Sequence, residues 1–332
     1  MTTMLKRLFF ISIILILWSC NSPADSPYPS MTFTKKSVMS PTGRASAVSF
    51  VIDGYGYVAL GRTDLRSGAL NDCWKYNPVD DSWKEMKPFL GLARVNAVAE
   101  VVNGMAYVGL GFDISKQVYT GGNLFDFYMY NPAKDEWFKK TGLDSLKTTA
   151  TNSCVSFVFN DKIYVGIGFD GAGFTDEFWM YNPEDDSWKK INNFAGSYRA
   201  GAVLCANNNH VYCGTGFNTY NLSDWWEYLP TSDTWIQLKS IPDMGRENAT
   251  ALSINNRFFV AAGRNFGGNL SGGYLKTDFM EYDVDKNVWY KRGDIPGEAR
   301  ENAISFSING IGYIGFGGND THVLNDFWSF EP

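Results

Sequence analysis

Only two histidines, His210 and His322, occur in 332 residues, which leaves little from which to build a multi-histidine metal centre. The five cysteines show none of the paired spacings that hold zinc. The sequence contains no Gly-x-Ser-x-Gly nucleophile turn and no phosphate-cradling glycine loop. Basic residues form no run or cluster, and acids outnumber them 35 to 29, which argues against nucleic acid as a partner. No long stretch carries a sustained helical apolar stripe. The apolar run Leu8 to Leu17 is too short to cross a bilayer as a helix.

What is present points to strands. The chain is 45% hydrophobic and 16% aromatic, with 33 glycines and 11 tryptophans, a composition suited to many short strands joined by turns. Its organising stretch is Asp176-Glu177-Phe178-Trp179-Met180-Tyr181-Asn182-Pro183-Glu184-Asp185-Asp186-Ser187-Trp188. Aromatics supply pleated surface to bury, and Asn-Pro with the following acids supplies a turn. The stretch recurs: Tyr76 and Trp83, Tyr130 and Trp137, Tyr181 and Trp188, Tyr228 and Trp235, and Tyr282 and Trp289 are each seven residues apart. An acid stands four residues before each tyrosine, at Asp72, Asp126, Glu177, Asp224 and Asp278. A partial copy, Asp326-Phe327-Trp328-Ser329-Phe330, stops before its tryptophan.

A second set of anchors keeps step. Arg94, Arg199, Arg246 and Arg300 each follow a tryptophan by eleven residues, and Arg44 follows Phe33 by the same interval. Thirteen residues after each arginine comes an aromatic (Tyr57, Tyr107, Tyr212, Phe259, Tyr313), and four further on a glycine. The unit is a four-stranded antiparallel blade present six times, so the spacing predicts an all-β, six-bladed propeller over residues 31–332. The third unit is irregular, with three extra residues after Trp137 and Thr151 in the arginine position. The last unit lacks its fourth strand, and residues near Met31 to Met39 are expected to supply it and close the ring. The tryptophans and tyrosines are expected to pack between blades, with Ala47, Ala97, Ala202, Ala249 and Ala303 on the crowded inner strands. Cys205 and Cys213 share one hairpin, where a bridge is conceivable in an oxidising compartment; buried free thiols are the expectation.

The glycine-ended second strand with these tyrosines and tryptophans resembles Kelch-repeat β-propellers across nearly all of residues 31–330. In place of the first glycine of the Kelch doublet stand Leu60, Leu110, Ile167, Thr215, Ala262 and Phe316. The N-terminus, Lys6-Arg7 followed by the apolar run and Leu17-Trp18-Ser19-Cys20, is similar to the signal peptide and lipobox of bacterial lipoproteins, although Trp18 replaces the usual small or aliphatic residue. That resemblance implies cleavage after residue 19, lipidation of Cys20, a Ser/Pro-rich tether over 20–30 and residence in the bacterial cell envelope, at the outer membrane, with the lipid as the sole membrane contact. Cleavage takes two positive charges from a chain of net charge −6, leaving −8.

In a four-stranded meander the arginines share one rim with the loops joining strands two and three. Arg44, Arg94, Arg199, Arg246 and Arg300 therefore have two readings: a positive ring gripping a carboxylate or sulfate, or structural partners for the six acids that start strand three. Beside them stand Glu247, Asn248, Glu301 and Asn302, while Tyr119, Phe266 and Tyr274 lie in the two longest loops of that rim. Aromatic faces next to amides and acids suit a sugar, and equally a protein partner. Some Kelch propellers are copper-radical oxidases of the galactose oxidase type, but His210 falls on the far rim and His322 on the near one, so no such centre is expected. Bacterial Kelch propellers also include N-acetylneuraminate epimerases, which Tyr107-Val108-Gly109-Leu110-Gly111 resembles. The expectation is a binding module for a glycan-like or acidic ligand, or a protein, working without cofactor. The competing expectation is a sugar mutarotase with Glu247 or Glu301 as acid or base.

Overall fold

The computed structural model describes residues 22–40, 42–64, 68–116, 121–146, 150–266 and 272–332. Cys20, residues 1–19 and Tyr119 lie outside them. Six four-stranded antiparallel sheets surround a central channel, five of them simple meanders and the sixth completed by the N-terminal strand. Blade one comprises Val48–Ile52, Tyr55–Ala59, Cys73–Asn77 and Ser82–Met86. Blade five comprises Thr250–Ile254, Arg257–Ala261, Asp278–Asp283 and Val288–Asp294. In blade six Ile304–Ile308, Ile311–Gly315 and Phe327–Phe330 are completed by Phe33–Lys35, with Phe33 opposite Phe330 and Lys35 opposite Trp328. The N-terminal strand thus closes the ring, as the spacing of Phe33 and Arg44 predicts, and covers an edge that would otherwise offer unpaired backbone groups. After its fourth strand blade three carries a short 3-10 turn, Leu143–Ser145.

Alternation along the innermost strands builds the core. Val48, Phe50 and Ile52 are buried, while Ser49 and Val51 between them are partly open to the channel. Six apolar clusters result, one at each seam between neighbouring blades. Within every full repeat the tyrosine and tryptophan rings meet at 4.8–5.1 Å, as in Tyr130–Trp137 at 4.8 Å and Tyr282–Trp289 at 5.1 Å. Each such pair adds about 0.5–1.5 kcal/mol beyond its area burial. Tyr76 also reaches across its seam to Tyr313 and Phe327.

The turn acid completes the seam. Tyr130 donates its hydroxyl proton to Asp135 at 2.7 Å, and the same Asp135 carboxylate accepts the backbone N–H of Lys87 on the preceding blade. Trp137 donates its indole N–H to the carbonyl of Lys87, so one tyrosine, one tryptophan and one acid clasp two blades together. Trp188 and Trp289 repeat the contact on Thr141 and Lys239. Asp135, Asp186 and Asp233 sit at φ near +50°, a conformation that aspartate tolerates better than most residues.

The hairpin cysteines are free. Cys205 pairs with Tyr212 and Leu204 with Cys213, so the two thiols point to opposite faces of the sheet. Cys205 packs in the seam toward blade five and Cys213 in the seam toward blade three, and burial pushes both thiols well above their ordinary range.

The segment before the closing strand follows the outer edge of blade five. Ala24 donates its N–H to the carbonyl of Trp289, and Met31 donates to that of Arg292. Tyr28 lies between the guanidinium groups of Arg257 and Arg292, at 4.9 and 5.0 Å, while Arg292 donates to the carbonyl of Pro29. Residues 22–30, expected as a tether, are held against the propeller by these contacts.

Candidate functional site

The five repeated arginines enter the innermost strands from the near rim, and all are 0–3% exposed. Each closes a two-pronged ion pair with the acid that starts strand three of its own blade. Arg44 meets Asp72 at 2.6 and 2.6 Å, Arg94 meets Asp126 at 2.5 and 2.8 Å, and Arg199 meets Asp224 at 2.5 and 2.7 Å. Arg246 and Arg300 grip Asp278 and Asp326 in the same way. Burial favours the neutral acid at Asp126, but the hydrogen bonds and charge of Arg94 outweigh it and hold the carboxyl below its usual range. The same Nη1 that binds the acid donates to a strand-two carbonyl, that of Leu60, Leu110, Thr215, Ala262 or Phe316. Those residues adopt φ of 55–62°, the left-handed conformation that the first glycine of a Kelch doublet would supply without strain. Of the two readings of the arginines, the structure displays the ion-pair arrangement, so no ring of free positive charge faces the mouth. Blade three, with Thr151 in place of arginine, leaves Glu177 to an outer-strand partner, Lys190.

Two residues beyond each arginine position, the backbone forms a closed circle. Ser46 donates its N–H to the Asn302 carbonyl, Asn96 to Ser46, Ser153 to Asn96, Gly201 to Ser153, Asn248 to Gly201, and Asn302 to Asn248, at 2.8–3.3 Å. All six residues have φ between 53° and 63°. Below this circle the channel, about 660 Å³, is walled by small residues and by the hydroxyls of Ser49, Ser156 and Ser305. Glu100 also reaches it, standing where other blades bury Phe50, Phe157 and Phe306. Desolvation raises its pKa to about 7, against the opposing hydrogen bond from Ser156.

Above the circle, the mouth is built by short bridges between the residue after each arginine position and the residue after each strand-two glycine. Val95 faces Phe112, Asn152 faces Phe169, Ala200 faces Phe217, Glu247 faces Arg264, and Glu301 faces Gly318. The sixfold backbone therefore presents an unequal set of side chains. On one side Phe169, Phe174, Phe217 and Phe266 touch in series, with ring centroids 5.6, 5.9 and 5.7 Å apart. On the other side Glu247, Glu301, Arg264 and Asp320 form a charged sector.

Arg264 is the centre of that sector and is only 6% exposed. Its Nε donates to Glu301 Oε1 at 3.0 Å, its Nη2 to Asp320 Oδ1 at 2.7 Å, and its Nη1 to the carbonyl of Gly272. Asn248, one of the residues named from sequence, donates its side-chain N–H to Glu301 Oε2. Glu247 has a pKa raised to about 7: burial is the largest cause, the charge of Glu301 adds to it, and Arg264 and Asn221 oppose it. Asn218, beside Phe217, is 6% exposed, and its Oδ1 has no partner among the described residues. Tyr274 lies at the edge, 66% exposed, and Asn302 contributes to the narrow aperture formed by the backbone circle. The structure thus brings together Glu247, Asn248 and Glu301 and adds Arg264, Asp320 and the phenylalanine row. His210 pairs with Glu227, and His322 with Glu298 on the near rim.

Fold and mouth together define a six-bladed Kelch propeller with an acidic, aromatic-flanked opening. A family model described as the KLHDC2/KLHL20/DRC7 Kelch-repeats domain matches residues 92–263, and the chain belongs to that family. It is 28% identical over 201 residues to an N-acetylneuraminate epimerase from Pasteurella multocida (strain Pm70), covering 49% of this chain and 50% of that protein. The chain thus aligns with about half the length of this curated relative. The solved structure of YjhT superposes with a TM-score of 0.72 at 19% identity, covering 87% of this chain and 95% of the other, which establishes likeness of fold.

Proposed function

We propose that the near-rim mouth binds a sugar and that Glu247 makes it a mutarotase, needing no cofactor. The observation that carries this reading is Glu247 itself, a half-buried carboxyl poised near neutrality in a mouth with a row of aromatic rings. Mutarotation is an isomerisation and needs little more. As the ring C–O bond breaks, the anomeric hydroxyl gives up a proton and the ring oxygen receives one; closure on the other face reverses the exchange. A carboxyl titrating near pH 7 can both take and return that proton. The phenylalanine row offers faces to sugar C–H groups. Similarity to an N-acetylneuraminate epimerase supports this class of substrate. The N-terminal sequence supports placement in the cell envelope through lipidated Cys20.

Anomer exchange of N-acetylneuraminate followed by NMR tests the reading. The wild type should accelerate exchange, and Glu247→Gln should reduce that acceleration by about 10²-fold or more, the usual reach of one acid–base group. Full activity in Glu247→Gln would remove Glu247 from the mechanism. A second reading, binding without turnover, is favoured by the exposed Tyr198, Tyr220, Met244 and Tyr274, which lie on near-rim loops. In that case sugars or a protein partner would bind the wild type while anomer exchange stayed at its solution rate.

A further inference from the structure

Arg264 carries two carboxylates of different kinds. Glu301 is 18% exposed in its side chain and is fixed by Asn248 as well as by the guanidinium. Asp320 is 68% exposed and touches Arg264 through a single oxygen, Oδ1, at 2.7 Å. It belongs to the blade-six loop 318–325, whose shape is kept by Asn319, which accepts the N–H groups of Thr321 and His322 and donates to Glu298. The loop therefore stays in place without the Arg264 contact. Two carboxylates, those of Glu301 and Asp320, already hold one guanidinium, with Glu247 on the facing backbone bridge, and an added ligand anion would be repelled unless one of the two withdrew. Asp320 is the one able to do so, because water can solvate its carboxylate outside the mouth.

We infer that Asp320 is a placeholder: its carboxylate occupies the prong of Arg264 that a sugar carboxylate takes over on binding, making Arg264 the anchor for acidic sugars. This rests on the reading of the mouth as a sugar site. The exchange leaves the charge of the sector unchanged, since one carboxylate replaces another on the same Nη2. It also gives the site selectivity. A neutral sugar has nothing with which to displace Asp320, whereas an acidic one exchanges a charged hydrogen bond for another and adds its contacts to the phenylalanine row.

Calorimetric titration of the intact protein with N-acetylneuraminate, glucuronate and their methyl esters tests this, using wild type, Asp320→Asn and Arg264→Gln, with melting curves to check folding. The acids should bind Asp320→Asn about 5- to 20-fold more tightly than wild type. The esters should bind both proteins alike, and Arg264→Gln should lose the preference for acid over ester. Equal affinity of wild type and Asp320→Asn for the acids would overturn the placeholder while leaving the sugar reading intact. Failure of every sugar to bind either protein would overturn both. Should Arg264→Gln fail to fold, Asp320→Asn against the acid and ester pair still decides.

Discussion

Arg94 and Asp126 hold each other through both prongs of the guanidinium, at 2.5 and 2.8 Å, with Arg94 wholly buried and the Leu110 carbonyl taking a third bond at 3.0 Å. Removing the arginine alone leaves a carboxylate and a carbonyl without their donor. Arg94→Met should therefore cost about 3–5 kcal/mol, the range for breaking a buried pair from one side. Urea melts measure this, and the Arg94→Met, Asp126→Leu double variant should recover part of the loss. A single variant as stable as wild type would show that the pair is dispensable.

Glu100 predicts a pH dependence of stability. Its folded pKa, about 7, lies above the ordinary value of 4.5, so the folded chain keeps this proton to higher pH than the unfolded chain does. The contribution is fully present below about pH 4.5 and is lost as pH rises through 7. Glu100→Gln keeps an acceptor for Ser156 and does not titrate, so its stability relative to wild type should increase from pH 5 to pH 8. A stability difference that is flat with pH would mean that Glu100 ionises as freely in the fold as outside it.

Thr215 is buried, β-branched and left-handed at φ 61°, and its hydroxyl has no partner among the described residues. Left-handed backbone costs about 1–2 kcal/mol at such a residue, and an unpaired hydroxyl adds to it. Thr215→Gly should raise the melting temperature by about 2 °C or more. A fall would show that packing of the methyl group outweighs both terms.

Residues Phe33–Lys35 cap the edge strand Phe327–Phe330, and Phe33 packs on Phe279 and Phe330. A chain starting at residue 38 should expose that edge and associate in a concentration-dependent way, seen by light scattering. A truncated chain that stayed monomeric with an unchanged melt would deny the strand its closing role.

The architecture was legible because its signals are local and repeated: a tyrosine and tryptophan seven residues apart must share a hairpin, and six copies fix the period. The alternatives for the arginines could not be separated by spacing, since 25 residues separate Arg199 from Asp224 but 32 separate Arg94 from Asp126. Loop length hides a contact that the fold makes constant. Arg264 escaped notice because it lies outside the column of the five repeated arginines. Its column holds Arg62, Phe112, Phe169, Phe217 and Gly318, and reading that column for differences would have exposed both the phenylalanine row and the charged sector. The clasp role of Asp135 and its equivalents was equally hidden, because a turn acid looks like a turn acid until its neighbour blade is in place.

The circle of six amides has a consequence for how such a protein can change. Its bore is gauged by main chain, so the side chains of Ser46, Asn96, Ser153, Asn248 and Asn302 can be exchanged among residues that tolerate left-handed backbone without altering the gauge. Gly201 is the coupled station: a Cβ there would lie 2.7 Å from Asn248 Oδ1, so a side chain at 201 requires Asn248 to shift or change with it. A lineage can therefore rewrite what the opening recognises, five positions at a time, on a hoop that never has to be rebuilt.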